Sequence, residues 1–171
     1  MTTDHRTYGL VWTALRWAAA ALQQADRVPV AWEPYAASMR PPLGGSFFRR
    51  ETPESQRPNA LFWADVHFLM ISVSHLGRAL EMIDNGPRLS KTMSEKAENL
   101  RHLVEHWWEA ETGGRAWNGL RERYGEYADP RQLMFDPPDF KIGHDSLSVA
   151  ELADDVRRVE RELVALELEL G

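Results

Sequence analysis

The sequence predicts an all-α protein, an up-and-down bundle of about four main helices within a single domain spanning residues 1–171. Apolar residues recur at helical spacing in four separate segments, and clusters of proline and glycine separate those segments. A chain of 171 residues is long enough to bury a core without disulfides, and this one has no cysteine. The sequence therefore favours a helical domain held together by apolar packing.

The first helix is predicted from Asp4 to Ala25, with Pro29 as its end. Six prolines and Gly44-Gly45 lie in residues 29–58, and they predict a long loop without regular structure. One face of the helix carries the apolar residues expected to be buried: Tyr8, Val11, Trp12, Leu15, Ala19 and Leu22.

The second and third helices have clear end signals. The second is predicted to begin at the N-cap Asn59 and to stop at Asn85-Gly86-Pro87, and it is apolar on more than one side, as a central core helix is. The third is predicted to begin at Ser90 or Ser94 and to end at Gly113-Gly114. Its predicted buried stripe consists of Met93, Ala97, Leu100, Val104 and Trp107.

The C-terminal part of the chain predicts a short hairpin and a last helix. The hairpin pairs Gln132–Phe135 with Phe140–Gly143. Ser148 and Glu151 then form a capping box at the start of the last helix. A narrow apolar seam follows, suited to packing on other helices or on a partner chain: Leu152, Val156, Val159, Leu163, Leu166 and Leu170.

Charge and hydropathy exclude several classes of function. The net charge of -6 argues against a protein that coats duplex DNA. Tyr8–Leu22 is interrupted by Arg16 and lacks a strongly basic leader, and Leu61–Val73 is too short to span a bilayer. We therefore expect a soluble cytoplasmic protein without a membrane segment, and nothing in the sequence indicates a cofactor.

The segment His102-Leu103-Val104-Glu105-His106 is the main concentration of chemically useful side chains. It matches H-x-x-E-H, a pattern in which two histidines bind zinc and the glutamate acts as a base. Zinc sites of this kind need a third protein ligand, and no residue elsewhere is marked as one. Zinc hydrolysis is therefore the third-ranked interpretation, and we expect no bound metal.

A different pattern overlaps the same segment. Arg101-x4-His106 follows a long apolar helix, and the stretch from Arg101 to Glu109 closes on Gly113-Gly114. Together with Ile142-Gly143 and Leu147-Ser148-Val149 before a terminal helix, these residues resemble the HEPN superfamily of small helical bundles. The resemblance covers residues 61–170.

This resemblance implies a metal-independent endoribonuclease of the toxin or abortive-infection type, acting on RNA as a homodimer and paired with an antitoxin protein. It gives His106 the role of acid and base at the ribose 2′-hydroxyl, and gives Arg101 the role of stabilising charge on the phosphate. His102 stands where active members usually carry Asn or Asp. The candidate catalytic residues are Arg101, His102, Glu105 and His106.

An alternative interpretation assigns the same residues no catalytic role. A helix face with His and Glu is most often solvated, and Arg101 then pairs with Glu98, Glu105 or a neighbouring helix. The chain would be a non-catalytic dimerisation or regulatory module. Three polar residues of the second helix are similarly predicted to be satisfied polar groups of the core or an interface: Asp65, His67 and His75.

Overall fold

The computed structural model describes residues 3–39, 53–106, 122, 134–136, 139–142 and 145–170. These residues form four long helices and a small sheet, which confirms the predicted all-α bundle. The helices are α1 (Thr3–Met39), α2 (Pro53–Glu81), α3 (Lys91–His106) and α4 (Val149–Leu170). The strands are β1 (Met134–Asp136), β2 (Asp139–Ile142) and β3 (Asp145–Ser148).

Helix α1 lies between α2 and α4, and α2 also packs on α3. Trp17 stacks on His75 near one end of the α1–α2 pair, and Tyr35 stacks on Phe62 near the other, so the two helices run antiparallel. The largest fully buried side chains come mainly from α2 and α4, as expected for the predicted central helix: Phe62, Phe140, Leu69, Met70, Leu76, Leu80, Ile83, Leu100, Leu152, Leu163 and Val11.

The prediction that Pro29 ends the first helix is wrong, because α1 continues through Pro29 and Pro34 to Met39. A proline inside a helix costs about 3 kcal/mol, since it removes a hydrogen bond and clashes with the preceding turn. Aromatic packing beyond the prolines offsets that cost. The ring centroids of Tyr35 and Phe62 lie 4.8 Å apart, and that of Trp32 lies 5.5 Å from Phe62. Residues 29–39 and 53–58 are therefore helical, and the rest of the predicted loop lies outside the described residues.

The predicted buried face of the first helix is also partly wrong. Tyr8 and Trp12 are 41% and 50% exposed, and Ala19 is exposed as well. Since α1 packs against helices on two sides, a stripe of small residues allows its backbone to approach both of them closely. That buried stripe consists of Val11, Ala14, Ala18, Ala21, Ala25 and Val28.

Helix α2 begins at Pro53, so the predicted N-cap at Asn59 is wrong, and Pro58 lies within the helix. Its predicted stop is confirmed. The regular helix ends at Glu81, and Asn85 adopts a left-handed conformation with φ 54°. Gly86 N–H then donates to the carbonyl of Ile83 at 3.2 Å, which closes the turn.

The predicted hairpin is present with shifted bounds, because Asp136 and Asp139 pair with each other in the ladder between β1 and β2. A third strand, β3, was not predicted from the sequence, and it pairs antiparallel with β2. Phe140 and Leu147 are paired across this ladder and both are buried. The sheet thus contributes an apolar face that packs near α3 and α4.

Helix α4 begins where the capping box places it, since the Glu151 N–H donates to Ser148 Oγ at 3.3 Å. Its seam was predicted to pack on other helices or to leave a surface for a partner. Four seam residues are buried and two are partly buried within the chain, against a core that includes α1. The seam therefore packs within the chain, which is the first of these alternatives, and the homodimer stays a prediction.

Part of α2 is long and apolar enough to cross a membrane when judged by length and composition alone. The segment Arg57–Glu81 has a window of mean hydropathy 1.3, of which 44% is buried inside the protein. Core helices of globular proteins share this property. The expectation of a chain without a membrane segment therefore stays a prediction.

Candidate functional site

Helix α3 carries the candidate site, and its start is fixed by Ser90. The Met93 N–H donates to Ser90 Oγ at 3.2 Å, so Ser90 is the N-cap, the first of the two residues predicted. The backbone N–H of Ser90 in turn donates to Asp155 of α4 at 2.7 Å. The buried side chains of Ala97 and Leu100 complete the anchoring of α3. Its predicted end at Gly113-Gly114 lies outside the described residues.

Arg101 is the centre of a charged cluster on this helix. Its Nε and Nη2 atoms donate to the two carboxylate oxygens of Glu98, and its Nη1 atom donates to Glu105 at 2.9 Å. The guanidinium therefore binds Glu98 through two parallel hydrogen bonds and Glu105 through one. The Arg101 side chain is only 15% exposed, so this is not a freely solvated surface pair.

Glu98 connects the cluster to α2 and to a histidine. Ser74 Oγ on α2 donates to Glu98 Oε2 at 3.0 Å. The His102 Nε2 atom lies 3.3 Å from Glu98 Oε1 and 3.4 Å from Arg101 Nη2. Ser74, Glu98, Arg101, His102 and Glu105 thus form one network, which we call the α3 charge cluster.

The environment shifts two pKa values in the α3 charge cluster. Partial burial works to raise the pKa of Glu98, but hydrogen bonds from Arg101 and Ser74, with the nearby positive charge, outweigh it, so this pKa lies below its ordinary value. The hydrogen bond to Glu98 raises the pKa of Arg101, and its pairing with Glu105 acts in the same direction. Both side chains are therefore charged at neutral pH.

Three of the four predicted catalytic residues converge in this network: Arg101, His102 and Glu105. His106 is the last residue of α3, and its side chain lies outside the described part of the chain. Glu98 was predicted only as an alternative partner of Arg101, and Ser74 was given no role in the site. The i,i+3 spacing of Glu98 and Arg101 predicts the contact between these two residues. No local pattern predicts the contact between Ser74 and Glu98, because they are 24 residues apart in the sequence.

The described residues contain no group of three His, Asp or Glu side chains placed to hold a metal ion. The two histidines of the H-x-x-E-H pattern are His102 and His106, and only the first has a described side chain. His102 faces Glu98 and Arg101, and the guanidinium is a poor neighbour for a bound cation. The described geometry thus gives zinc no support beyond the pattern itself.

The polar residues of α2 mostly serve contacts between helices. Asp65 is buried and accepts an ion-pair contact from Arg27 of α1 at 2.9 Å, which confirms the prediction of an interface group. His75 is exposed, and its ring stacks on Trp17 with centroids 4.5 Å apart. His67 is partly buried and its ring meets Phe68 edge-on.

Comparison of the chain with known protein families, with curated proteins and with solved structures gave no match. The case for a function therefore rests on the residues of α3 and on their geometry.

Proposed function

We propose that the chain is a metal-independent endoribonuclease of the HEPN type, acting as a homodimer in the cytoplasm, with Arg101, His102, Glu105 and His106 at its site. One observation carries the proposal: the Glu105 carboxylate and the His102 imidazole lie 2.9 Å and 3.4 Å from the Arg101 guanidinium on the same helix. His102 is 40% exposed, so a ligand can reach this face from solvent.

The chemistry of RNA cleavage needs these residue types. The ribose 2′-oxygen attacks phosphorus, its proton passes to a base, the bond to the 5′-oxygen breaks, and an acid protonates that oxygen. The products are a 2′,3′-cyclic phosphate and a free 5′-hydroxyl. His106 serves as acid and base, and Arg101 stabilises the charge that develops on the phosphate.

In this proposal the two acidic neighbours of Arg101 have different roles. Glu98 binds the guanidinium through two hydrogen bonds and is itself held by Ser74, so it positions Arg101. Glu105 binds through one hydrogen bond. When RNA binds, the phosphate replaces Glu105 at Nη1, while Glu98 keeps the side chain in place.

A non-catalytic dimerisation or regulatory module is the second candidate, and a specific observation favours it. Arg101 is already paired on both sides, and the two carboxylates beside it repel a phosphate at short range. In this case the α3 charge cluster only joins α3 to α2.

Cleavage of labelled RNAs of mixed sequence, in the presence of EDTA, separates the two candidates. We expect wild-type protein to produce cyclic-phosphate ends, and Arg101→Ala and His106→Ala each to lower the rate at least about a hundredfold, the usual effect of losing one acid or base group. Arg101→Lys keeps the charge but loses the fork-shaped contacts, and we expect it to be impaired while remaining folded.

Arg157→Ala is the matched control, since Arg157 is an exposed arginine on α4 that pairs with Asp154. It should cleave as wild type does. Wild-type protein that cleaves none of the RNAs and is harmless on expression would identify the module instead. Cleavage that disappears in EDTA would exclude the metal-independent mechanism.

A further inference from the structure

Helix α2 carries an exposed apolar face whose residues are spaced like those of a coiled-coil seam. Leu61 and Phe68 on α2 are 52% and 54% exposed, and Met82, the first residue after the helix, is 57% exposed. With Ala64, Ile71 and His75 between them, they follow one another at steps of three, four or seven residues. We call this set of six residues the α2 seam.

We propose that the α2 seam is the surface on which a second copy of this chain packs, antiparallel and around a two-fold axis near Ile71. The proposal deepens the proposed function, which includes a homodimer, by naming the dimer surface, and it does not depend on RNA cleavage. The α2 seam, and not the apolar seam of α4, is then the surface for a partner, because the residues of the α4 seam pack inside the chain.

The spacing of the seam makes it complementary to itself under such an axis. Residues 61, 68, 75 and 82 lie symmetrically about the position between 71 and 72. Antiparallel packing therefore sets Leu61 against Met82 of the second copy, and Phe68 against His75 of the second copy. An isologous interface requires this reciprocity.

The surface beside His75 has room for the incoming ring. His75 stacks on Trp17, and beside Trp17 the surface of α1 has an open depression of about 250 Å³, lined by Thr13, Arg16, Trp17 and Ala20. In the proposed dimer, Phe68 of the second copy lies opposite His75 and therefore close to this depression. Insertion of a large apolar side chain into such a depression is how interface anchors are usually held.

The charges fit a second copy. The seam runs for ~30 Å at 1.5 Å per residue and is ~10 Å wide, which is about 300 Å² on each copy. A standard interface buries roughly 800 Å² on each partner, so the seam is the apolar centre of the proposed interface and polar residues around it supply the rest. Arg57 lies at one end of the seam and the exposed Glu81 and Asp84 at the other, so antiparallel packing brings opposite charges together.

Light scattering at micromolar concentration tests the proposal first. We expect the wild-type protein to have twice the chain mass of 19.6 kDa, and Phe68→Glu to halve that value while remaining folded, because Phe68 is exposed. Leu168→Glu on α4 is the matched control, since Leu168 is apolar and 78% exposed but lies off the α2 seam. It should remain a dimer. The proposal would be overturned if the wild-type protein were monomeric, whether or not it binds lipid vesicles. It would also be overturned if Phe68→Glu remained a dimer.

Thiol cross-linking tests the orientation, because the chain has no cysteine of its own. Ile71→Cys should give a covalent dimer with a short bismaleimide, and a mixture of Leu61→Cys and Met82→Cys should do the same. Leu61→Cys alone should not, because antiparallel copies hold its two thiols ~30 Å apart. Efficient cross-linking of Leu61→Cys alone would contradict the antiparallel arrangement. These readouts stand whether or not the protein cleaves RNA.

Discussion

At the scale of single residues, the α3 charge cluster shows how one carboxylate can organise a site. Glu98 accepts hydrogen bonds from Arg101 on its own helix and from Ser74 on α2. It therefore fixes the side chain of Arg101 and the position of α3 at the same time. A partly buried arginine with two acidic partners is charged and oriented before any ligand arrives, which suits either a catalytic role or a structural one.

The pKa of Glu98 gives this cluster a predictable pH dependence. Because that pKa is lowered from 4.5 on folding, Glu98 stabilises the folded protein above pH 4.5, and this contribution is lost as the pH falls through the lowered pKa. We expect Glu98→Gln to lower the free energy of unfolding at pH 7 by on the order of 1 kcal/mol, as for a partly exposed ion pair.

Urea unfolding between pH 7 and pH 3 measures the effect. The difference between wild type and Glu98→Gln should shrink at the acidic end. The control is Glu95→Gln, because Glu95 is exposed on the same helix and its carboxylate is 3.9 Å from Lys91. This variant should lower the free energy of unfolding by less than about 0.5 kcal/mol at every pH measured. A wild-type advantage over Glu98→Gln that stays constant down to pH 3 would contradict this account.

At the scale of secondary-structure elements, the helix ends depend on contacts more than on single signal residues. Pro29 and Pro34 stop helices in general, yet α1 passes through both because aromatic rings beyond them pack on α2. Asn85 and Gly86 do end α2, since the chain there turns with a left-handed residue and packs closely against Ile83.

Gly86 is the position where this turn is most sensitive. A Cβ atom added there would lie 2.5 Å from Ile83 Cγ2, and Ile83 is buried and has little freedom to move. We expect Gly86→Ala to destabilise the protein by about 1–3 kcal/mol, the usual cost of overpacking. The control is Gly9→Ala on α1, where a Cβ meets nothing within 4 Å and a helix gains roughly 0.5–1 kcal/mol. Thermal unfolding should show a lower Tm for Gly86→Ala and a higher Tm for Gly9→Ala than for the wild type. An unchanged Tm for Gly86→Ala would contradict the prediction, because it would show that the turn relaxes around the added methyl group.

At the scale of the whole molecule, Arg158 joins parts of the chain that are far apart in sequence. It donates to the carbonyl of Arg88 at 2.6 Å, in the connection between α2 and α3, and it also binds Asp155 and Glu162 on α4. The hydrogen bond to Asp155 raises the pKa of Arg158, and the pairing with Glu162 acts in the same direction. The last helix is thereby held to the start of the helix that carries the candidate site.

We expect Arg158→Ala to lower the free energy of unfolding by about 1–2 kcal/mol, because it leaves a backbone carbonyl and Asp155 without this donor. Arg157→Ala removes an adjacent arginine whose contacts are with exposed acids, and it should cost less than about 0.5 kcal/mol. Chemical denaturation with both variants checks the difference. Equal losses would mean that the bridge to Arg88 contributes nothing.

The sequence by itself determined the helical class, the core role of α2, the turn at Asn85-Gly86 and the start of α4 at Ser148. Each of these follows from local periodicity or from a capping residue, which act within a few positions of the chain. It also pointed to the segment 101–106 and to a pairing of Arg101 with Glu98 or Glu105, because i,i+3 and i,i+4 neighbours meet on any helix.

Only the tertiary structure decided which faces are buried and where distant residues meet. Tyr8 and Trp12 look like core residues by periodicity, but alanines take that place because α1 is packed between two helices. The seam of α4 is filled within the chain, and the exposed seam lies on α2. Ser74 reaches Glu98 because packing brings α2 against α3. Burial is a property of the assembled chain, and no local pattern specifies which of two apolar faces the fold will cover.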